Sequence, residues 1–265
     1  MTYLTLTPDT LPDEHICCAF SDKKCRAGYD AKKRWLTEEF AHGYRFHRLD
    51  ARGKVFLEYG PGAATWLPVE ADNWMMLGCF WVSGKFKKQG HGKALLDHAQ
   101  NAATTAGLSG LAAVVGRKKF HFSSDGKWLI RQGFREVDRT ESGFSLLVRH
   151  GDNAGPDGAN PDAPLPRFNA AARHGQPATD KGICVYYANR CPFTDYHVEM
   201  ALRESCAKRG LPLEIHKIDS LEAARAAPSP ATIFSLFLDG TFVTTDISAC
   251  LDSRLDKVLA KARQA

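Results

Sequence analysis

The sequence predicts an α/β protein in two parts: an N-terminal mixed sheet flanked by helices, and a smaller C-terminal unit of order β-α-β-α-β-β-α. Three observations carry this. Residues 74–107 run from an apolar, aromatic strand through a Gly- and Lys-rich turn into a helix. Residues 150–181 are rich in Gly, Pro, Asn, Asp and Ala, with only Leu165 and Phe168 as large apolar residues. Such a stretch cannot bury enough surface to fold alone and reads as a linker. Beyond it, strand and helix patterns alternate again up to Gln264. The expected division is 1–150, a flexible Gly/Pro-rich linker over 151–180, and 181–265.

In the first part, helices are expected over Glu14–Phe20 and Tyr29–His42, the second with Trp35, Leu36 and Phe40 as its apolar stripe. Tyr44–Leu49 and Lys54–Tyr59 alternate as antiparallel strands joined at Asp50-Ala51-Arg52-Gly53. Trp74–Val82 is a buried strand. After the turn, Lys93–Ala106 has helical spacing, with Ala94, Leu95, Ala99 and Ala102 on one side. Leu108–Val115 is a second apolar strand. A short helix through Trp128-Leu129-Ile130, then Gly133-Phe134 and a strand at Phe144–Val148 complete this part.

The turn Gly84–Gly92 is the most informative segment. A glycine turn opening a helix aims several backbone N–H groups at one spot, where the helix adds partial positive charge. That suits a phosphate or pyrophosphate. The turn is neither G-x-x-x-x-G-K-[ST] nor G-x-G-x-x-G, which disfavours a P-loop and a dinucleotide site. Lys87-Lys88-Gln89-Gly90-His91-Gly92, followed by Ala94-Leu95-Leu96, resembles the pyrophosphate loop of the GNAT acyltransferases, [RQ]-x-x-G-x-[GA], with Lys87 in place of the usual Arg or Gln. The predicted order of elements fits a GNAT domain over residues 1–150. His15-Ile16-Cys17-Cys18-Ala19, Lys32-Lys33-Arg34-Trp35-Leu36, Phe56-Leu57-Glu58-Tyr59 and Trp81-Val82-Ser83-Gly84-Lys85 resemble the YoaP-type GNAT proteins, which carry a thioredoxin-like C-terminal domain.

The resemblance implies a CoA-dependent N-acyltransferase, with acetyl-CoA or another acyl-CoA as donor and an amine of a small molecule or peptide as acceptor. It places Lys87, Lys88, Gln89, Gly90, His91, Gly92 and Lys93 on the pyrophosphate, and a backbone N–H near Trp81 or Val82 on the thioester carbonyl. Many relatives hold a Tyr general acid about four residues before the Gly-Phe pair; Leu129 stands there. A base common on the fourth strand would fall near Met76, which cannot accept a proton. The remaining candidates are Glu58, Cys79, and His121 or Ser123. Glu58 is the first choice as base, directly or through water.

The C-terminal order is that of a thioredoxin fold. Cys191 falls after the first strand, at a predicted helix start, and Pro230 falls where such folds keep a cis-proline. Thr194 replaces the second Cys of C-x-x-C, so no internal dithiol can form. The helix start is expected to lower the Cys191 pKa below about 8.5, giving a possible monothiol. Cys184 and Cys206 read as structural.

Eight scattered cysteines, no apolar run of about 18 residues and no signal-peptide pattern at Met1–Thr5 fit a cytoplasmic protein with reduced thiols. His15, Cys17, Cys18 and Cys25 contain no C-x-x-C pair, and no metal site is expected. Residues 1–150 hold 22 Lys and Arg against 16 Asp and Glu, a net +6, while the remainder is −1. Lys85, Lys87, Lys88, Lys93 and Arg117-Lys118-Lys119 concentrate cations where coenzyme A would bring phosphates. No RRM or KH motif is present, so nucleic acid is disfavoured and tRNA is left open. A protein partner through the C-terminal unit stays open too. Two alternative classes remain: a non-catalytic CoA- or partner-binding protein, and a monothiol redox protein acting through Cys191.

Overall fold

The computed structural model describes residues 2–117, 123–151 and 164–264. The first part is built on a seven-stranded sheet. In chain order its early elements are β1 (Tyr3–Thr5), α1 (Arg26–Ala41), β2 (Arg45–Leu49), β3 (Val55–Pro61), the two-residue β4 (Val69–Glu70) and β5 (Met75–Val82). Then come α2 (His91–Thr105), β6 (Gly110–Gly116), α3 (Gly126–Arg131), β7 (Arg135–Arg139) and β8 (Phe144–His150). The strand order is β1-β2-β3-β5-β6-β8-β7. Every pair is antiparallel except β5 with β6.

That parallel pair is short. It registers only at Met75 with Leu111, Met76 with Ala112 and Leu77 with Ala113. Both strands continue, so the sheet opens into a V past Leu77. On its other edge β5 carries an extra residue: Leu57 faces Phe80 but Tyr59 faces Leu77, so Gly78 and Cys79 together oppose Glu58.

Side chains alternate across the sheet. Leu57, Tyr59, Leu77, Ala113 and Val115 pack against Leu95, Leu96, Ala99 and Ala103 of α2. Phe46 and Phe56 point to the opposite face, against Trp35, Leu36 and Phe40 of α1. The predicted stripe of α1 is therefore the buried one. On α2 the buried set is shifted from the predicted one: Ala94 is exposed, and Leu96 and Ala103 are core.

Two expected features differ. Glu14–Phe20 forms turns, not a helix; Cys17 and Ala19 adopt positive φ of 62° and 53°, which interrupts helical bonding. Within the stretch read as a flexible linker, residues 164–174 take defined structure. β9 (Arg167–Phe168) pairs antiparallel with β4, and α4 (Ala170–His174) follows. Phe168 is fully buried with Trp74, Met76, Val114 and Phe144, and the Trp74 Nε1–H donates to the Pro164 carbonyl at 3.2 Å. One aromatic side chain thus anchors a polar segment.

The C-terminal unit has β10 (Ile183–Tyr187), a π-helical stretch Tyr196–Leu202 running into α5 (Arg203–Ala207), β11 (Leu213–Lys217), α6 (Leu221–Arg225), β12 (Phe234–Leu238), β13 (Thr241–Thr244) and α7 (Asp252–Ala262). Its sheet has the order β11-β10-β12-β13, parallel at β10/β11 and antiparallel elsewhere. This is the predicted β-α-β-α-β-β-α. No peptide bond among the described residues is cis, so the bond before Pro230 is trans, against expectation.

This unit packs on the face of the large sheet that also carries α1. Ala188, Ile218, Ala224 and Ala227 share one apolar cluster with Trp35, Leu36, Phe46 and Trp66. The Trp66 carbonyl accepts from Arg190 Nη1 at 3.0 Å and Thr232 Oγ1 at 2.6 Å. Gly28 lies directly against the Pro192 carbonyl: a Cβ there would sit 2.3 Å from the oxygen.

His47 of β2 is 6% exposed and stacks on His98 of α2 at 3.6 Å. Burial and the neighbouring His98 push the His47 imidazole down to about 4, and burial lowers His98 as well. Protons then bind the unfolded chain in preference to the fold between pH about 6.5 and about 4. The contribution of the neutral pair is complete above the unfolded value and is lost as pH falls through the folded one. Thermal unfolding followed by circular dichroism is expected to show a falling Tm across that window, with a shallower fall in His47→Asn.

Candidate active site

The Gly-rich turn has the geometry its sequence predicts. A single 3-10 turn, Gly84–Phe86, leads into Lys87; Lys88 and Gly90 then take positive φ of 62° and 84°. Gly90 is the N-cap of α2 and offers no side-chain oxygen to the first turn. The first N–H groups of any helix lack intrahelical carbonyls, so here they remain available to an anion. Lys85, Lys87, Lys88, Gln89, Gly90 and Lys93 are all exposed around this point. Lys93 reaches Asp97 only at 3.9 Å. The His91 ring is buried, with Nδ1 2.7 Å from the Tyr3 hydroxyl. Arg117 is described at the end of β6, whereas Lys118 and Lys119 lie outside the described residues.

The V between β5 and β6 opens beside this turn. The Phe80 N–H donates to the Ser123 carbonyl at 2.9 Å, across the opening, and the Ser83 N–H donates to Lys54 on the other side at 3.0 Å. Backbone donors alternate along a strand. Val82 N–H therefore faces the opening as Phe80 does, and Trp81 N–H faces β3. Of these two residues, Val82 thus turns its N–H to the opening, and the Trp81 side chain is 39% exposed.

Glu58 sits opposite the extra residue of β5 and is 1% exposed. Lys32 Nζ of α1 donates to its Oε1 at 2.5 Å and the Tyr44 hydroxyl to its Oε2 at 2.7 Å. Burial pushes the Lys32 ammonium down, but the Glu58 carboxylate outweighs this and leaves it above its ordinary value. Burial, then Glu58, raises the Tyr44 phenol well above its usual range. Each Glu58 oxygen thus accepts one donor, and the carboxylate is closed off from solvent. Cys79 lies beside the pair. Burial first, and Glu58 next, push its thiol up to about 12.

Cys191 belongs to the same place. Its thiol interacts with Lys32, Glu58 and Lys54, and Cys79 and Cys18 feel it in turn. Burial raises the Cys191 pKa; the hydrogen bond from Phe193 N–H and the charge of Lys32 pull the other way without prevailing. The expected activated thiolate is thus corrected to a protonated thiol. The first regular helical turn also starts beyond it, since Thr194 Oγ1 donates back to the carbonyls of Ala188 and Cys191 at 2.9 and 2.8 Å. Thr194 is a buried structural cap where a second thiol would stand.

Of the expected catalytic candidates, Glu58 and Cys79 come together, while His121 lies outside the described residues. Met76 and Leu129 are core residues. Sequence reasoning missed Lys32, Tyr44 and Arg190. Lys32 carried a signal: it falls on the buried stripe Tyr29-Lys32-Leu36 of α1, where an amine needs a buried partner. Among the described residues no group of His, Cys, Asp and Glu could hold a metal ion, and no helix is long and apolar enough to cross a membrane.

The chain is 35% identical over 259 residues to a Bacillus subtilis (strain 168) protein named "Uncharacterized N-acetyltransferase YoaP", covering 98% of both chains. The family model described as YoaP-like matches residues 212–257. The chain belongs to the YoaP-like family. Among solved structures, a putative GNAT-family acetyltransferase from Desulfovibrio desulfuricans superposes on 56% of this chain and 98% of its own, with a TM-score of 0.43 and 15% identity. PaiA N-acetyltransferase from Thermoplasma acidophilum, in complex with coenzyme A, covers 57% of this chain and 99% of its own, with a TM-score of 0.39 and 15% identity.

Two outcomes follow from this geometry. Lys32→Met leaves the Glu58 carboxylate buried and unpaired, and should cost about 3–5 kcal/mol in urea unfolding, with most of it regained in Lys32→Met/Glu58→Leu. Cys18, Cys79 and Cys191 are the three cysteines that are not fully buried. Mass-spectrometric mapping at limiting iodoacetamide should label these three before the other five, slowly at pH 7 and faster with rising pH. Equal labelling of all eight would contradict the described burial.

Proposed function

We propose that the protein is a CoA-dependent N-acyltransferase that takes an acyl group from acetyl-CoA or a related thioester and gives it to the amine of a small molecule or peptide. The loop Lys87–Lys93 carries this conclusion. It joins two left-handed residues, an uncapped helix start and a ring of exposed lysines. That combination suits the pyrophosphate of coenzyme A. The pantetheine would run into the V, with the thioester carbonyl at the Val82 N–H. The family membership and the name of the Bacillus relative support the same reaction. The acceptor nitrogen attacks the carbonyl carbon, the C–S bond breaks, and coenzyme A leaves as the thiol with the proton the amine gives up.

Glu58 fits this scheme as a fixed negative charge beside the reacting centre, oriented by Lys32 and Tyr44. The domain division at 1–150, 151–180 and 181–265 is part of the same proposal, with the ordered strap at 164–174 belonging to the surface of the first domain. A cytoplasmic location accords with eight free cysteines. A second reading, a CoA-binding protein without turnover, draws on one observation: Glu58 is fully buried in an ion pair with Lys32. The monothiol redox reading loses its support with the raised Cys191 pKa.

Calorimetry with acetyl-CoA tests the loop. Gly90→Val forces a branched side chain into φ +84°, and Gly92→Val places one against the Trp128 ring, 3.1 Å from its Cβ. Each should lower acetyl-CoA affinity by about tenfold or more, about 1.4 kcal/mol. Unchanged affinity in both variants would remove the loop from the site. Release of free coenzyme A with an amine panel separates turnover from binding alone.

A further inference from the structure

Two adjoining cavities lie at the seam between the large sheet and the C-terminal unit. Both are narrow and partly open to solvent. They share Leu67, Leu77, Gly78 and Arg190; the first adds Tyr44, the second Ser123. Leu77 and Gly78 are the point at which β5 leaves β6, so the cavities flank the place where an acyl group would lie. Arg190 comes from the other side of the seam, just after β10.

Arg190 is 5% exposed. Its Nη1 donates to the Trp66 carbonyl at 3.0 Å and to Thr232 Oγ1 at 3.2 Å. Among the described residues, the Nε and Nη2 edge has no acceptor, and the buried Nε is unsatisfied. That edge is the fork that receives a carboxylate through two parallel hydrogen bonds. No carboxylate of the described residues pairs with the guanidinium. Glu39 of α1 feels its charge, but burial holds the Glu39 carboxyl above its ordinary value and the two form no ion pair. Tyr44 and Cys79 feel it as well. The Trp35 ring lies 5.3 Å from the guanidinium carbon, and Trp35 Nε1–H also lacks an acceptor. A buried cation with its best binding edge empty is costly. Such a group is explained when an anion completes it.

We propose that Arg190 binds the carboxylate of the acyl acceptor, and that the acceptor is a small amino-carboxylate held between the two units. The proposal rests on the acyltransferase reading above. It makes the C-terminal unit the part that selects the acceptor, while the loop of α2 holds the donor. A guanidinium only 5% exposed in a narrow seam is within reach of a small free molecule and not of an amine carried on a folded surface.

The test uses the full-length protein, saturating acetyl-CoA and release of free coenzyme A. The probes are the proteinogenic amino acids, each paired with its α-carboxamide. At least one amino acid should be turned over with kcat/KM about 10²-fold above its amide. Arg190→Gln should raise the KM for that acid by a similar factor, change kcat little and abolish the preference over the amide. Arg190→Lys keeps the charge but loses the fork, and should recover only part of the affinity. Acid and amide used equally well, or lowered equally by Arg190→Gln, would overturn the proposal. Unchanged acetyl-CoA affinity and Tm in the variants establish that they are folded. If no acceptor is turned over, calorimetry of the same amino acids against wild type and Arg190→Gln decides: Arg190-dependent heat supports the carboxylate site, and its absence overturns it. Failure of acetyl-CoA itself to bind would strike the acyltransferase reading instead.

Discussion

The buried ion pair of Lys32 and Glu58 is the constraint around which the rest of this molecule is arranged. It ties helix α1 to the middle of the large sheet at the level where β5 takes its extra residue. The ammonium is tolerated there because a carboxylate lies within hydrogen-bond reach, and the carboxylate because Tyr44 completes it. Replacing either partner by a neutral group would strand a charge in the most crowded part of the fold. The pair also fixes the electrostatics of its surroundings. Cys79, Cys191 and Tyr44 all stay protonated close to it, so the region offers a set field and not a reservoir of nucleophiles.

Much of the architecture was legible because its signals are local. The apolar run ending at Val82, the glycines at 84, 90 and 92, and the apolar spacing of α1 each encode one element through backbone geometry and periodicity. The same holds for β10 to α7. Glu14–Phe20 misled because its apolar residues, Ile16 and Cys17 among them, are buried by turns and not by a helical face. The burial of Phe168 was not legible, since one aromatic residue in a polar stretch does not reveal what lies opposite it; Trp74 and Phe144 do.

The candidate site divides in the same way. The phosphate turn is a contiguous motif and could be read directly. The Lys32–Glu58–Tyr44 group draws on three separate elements, and Arg190 reaches it from a different sheet. No spacing in the sequence reports such distances. Expectations for Cys191 failed for a related reason: its position near a helix start was visible, but its burial against the other unit was not. Burial outweighs the helix there.

The contact between Gly28 and Pro192 places a further condition on the whole chain. Any side chain at position 28 would occupy the space of the Pro192 carbonyl, so the two units approach one another backbone to backbone. Together with Ala188, Ala224 and Ala227 opposite Trp35 and Trp66, this leaves no surface of α1 that was shaped to meet water on that side. Separated from residues 181–265, the first unit would carry a bare apolar face and a naked Lys32–Glu58 rim. The two units are therefore cut to fit one another: neither could be exchanged for a generic counterpart without recutting the other's surface.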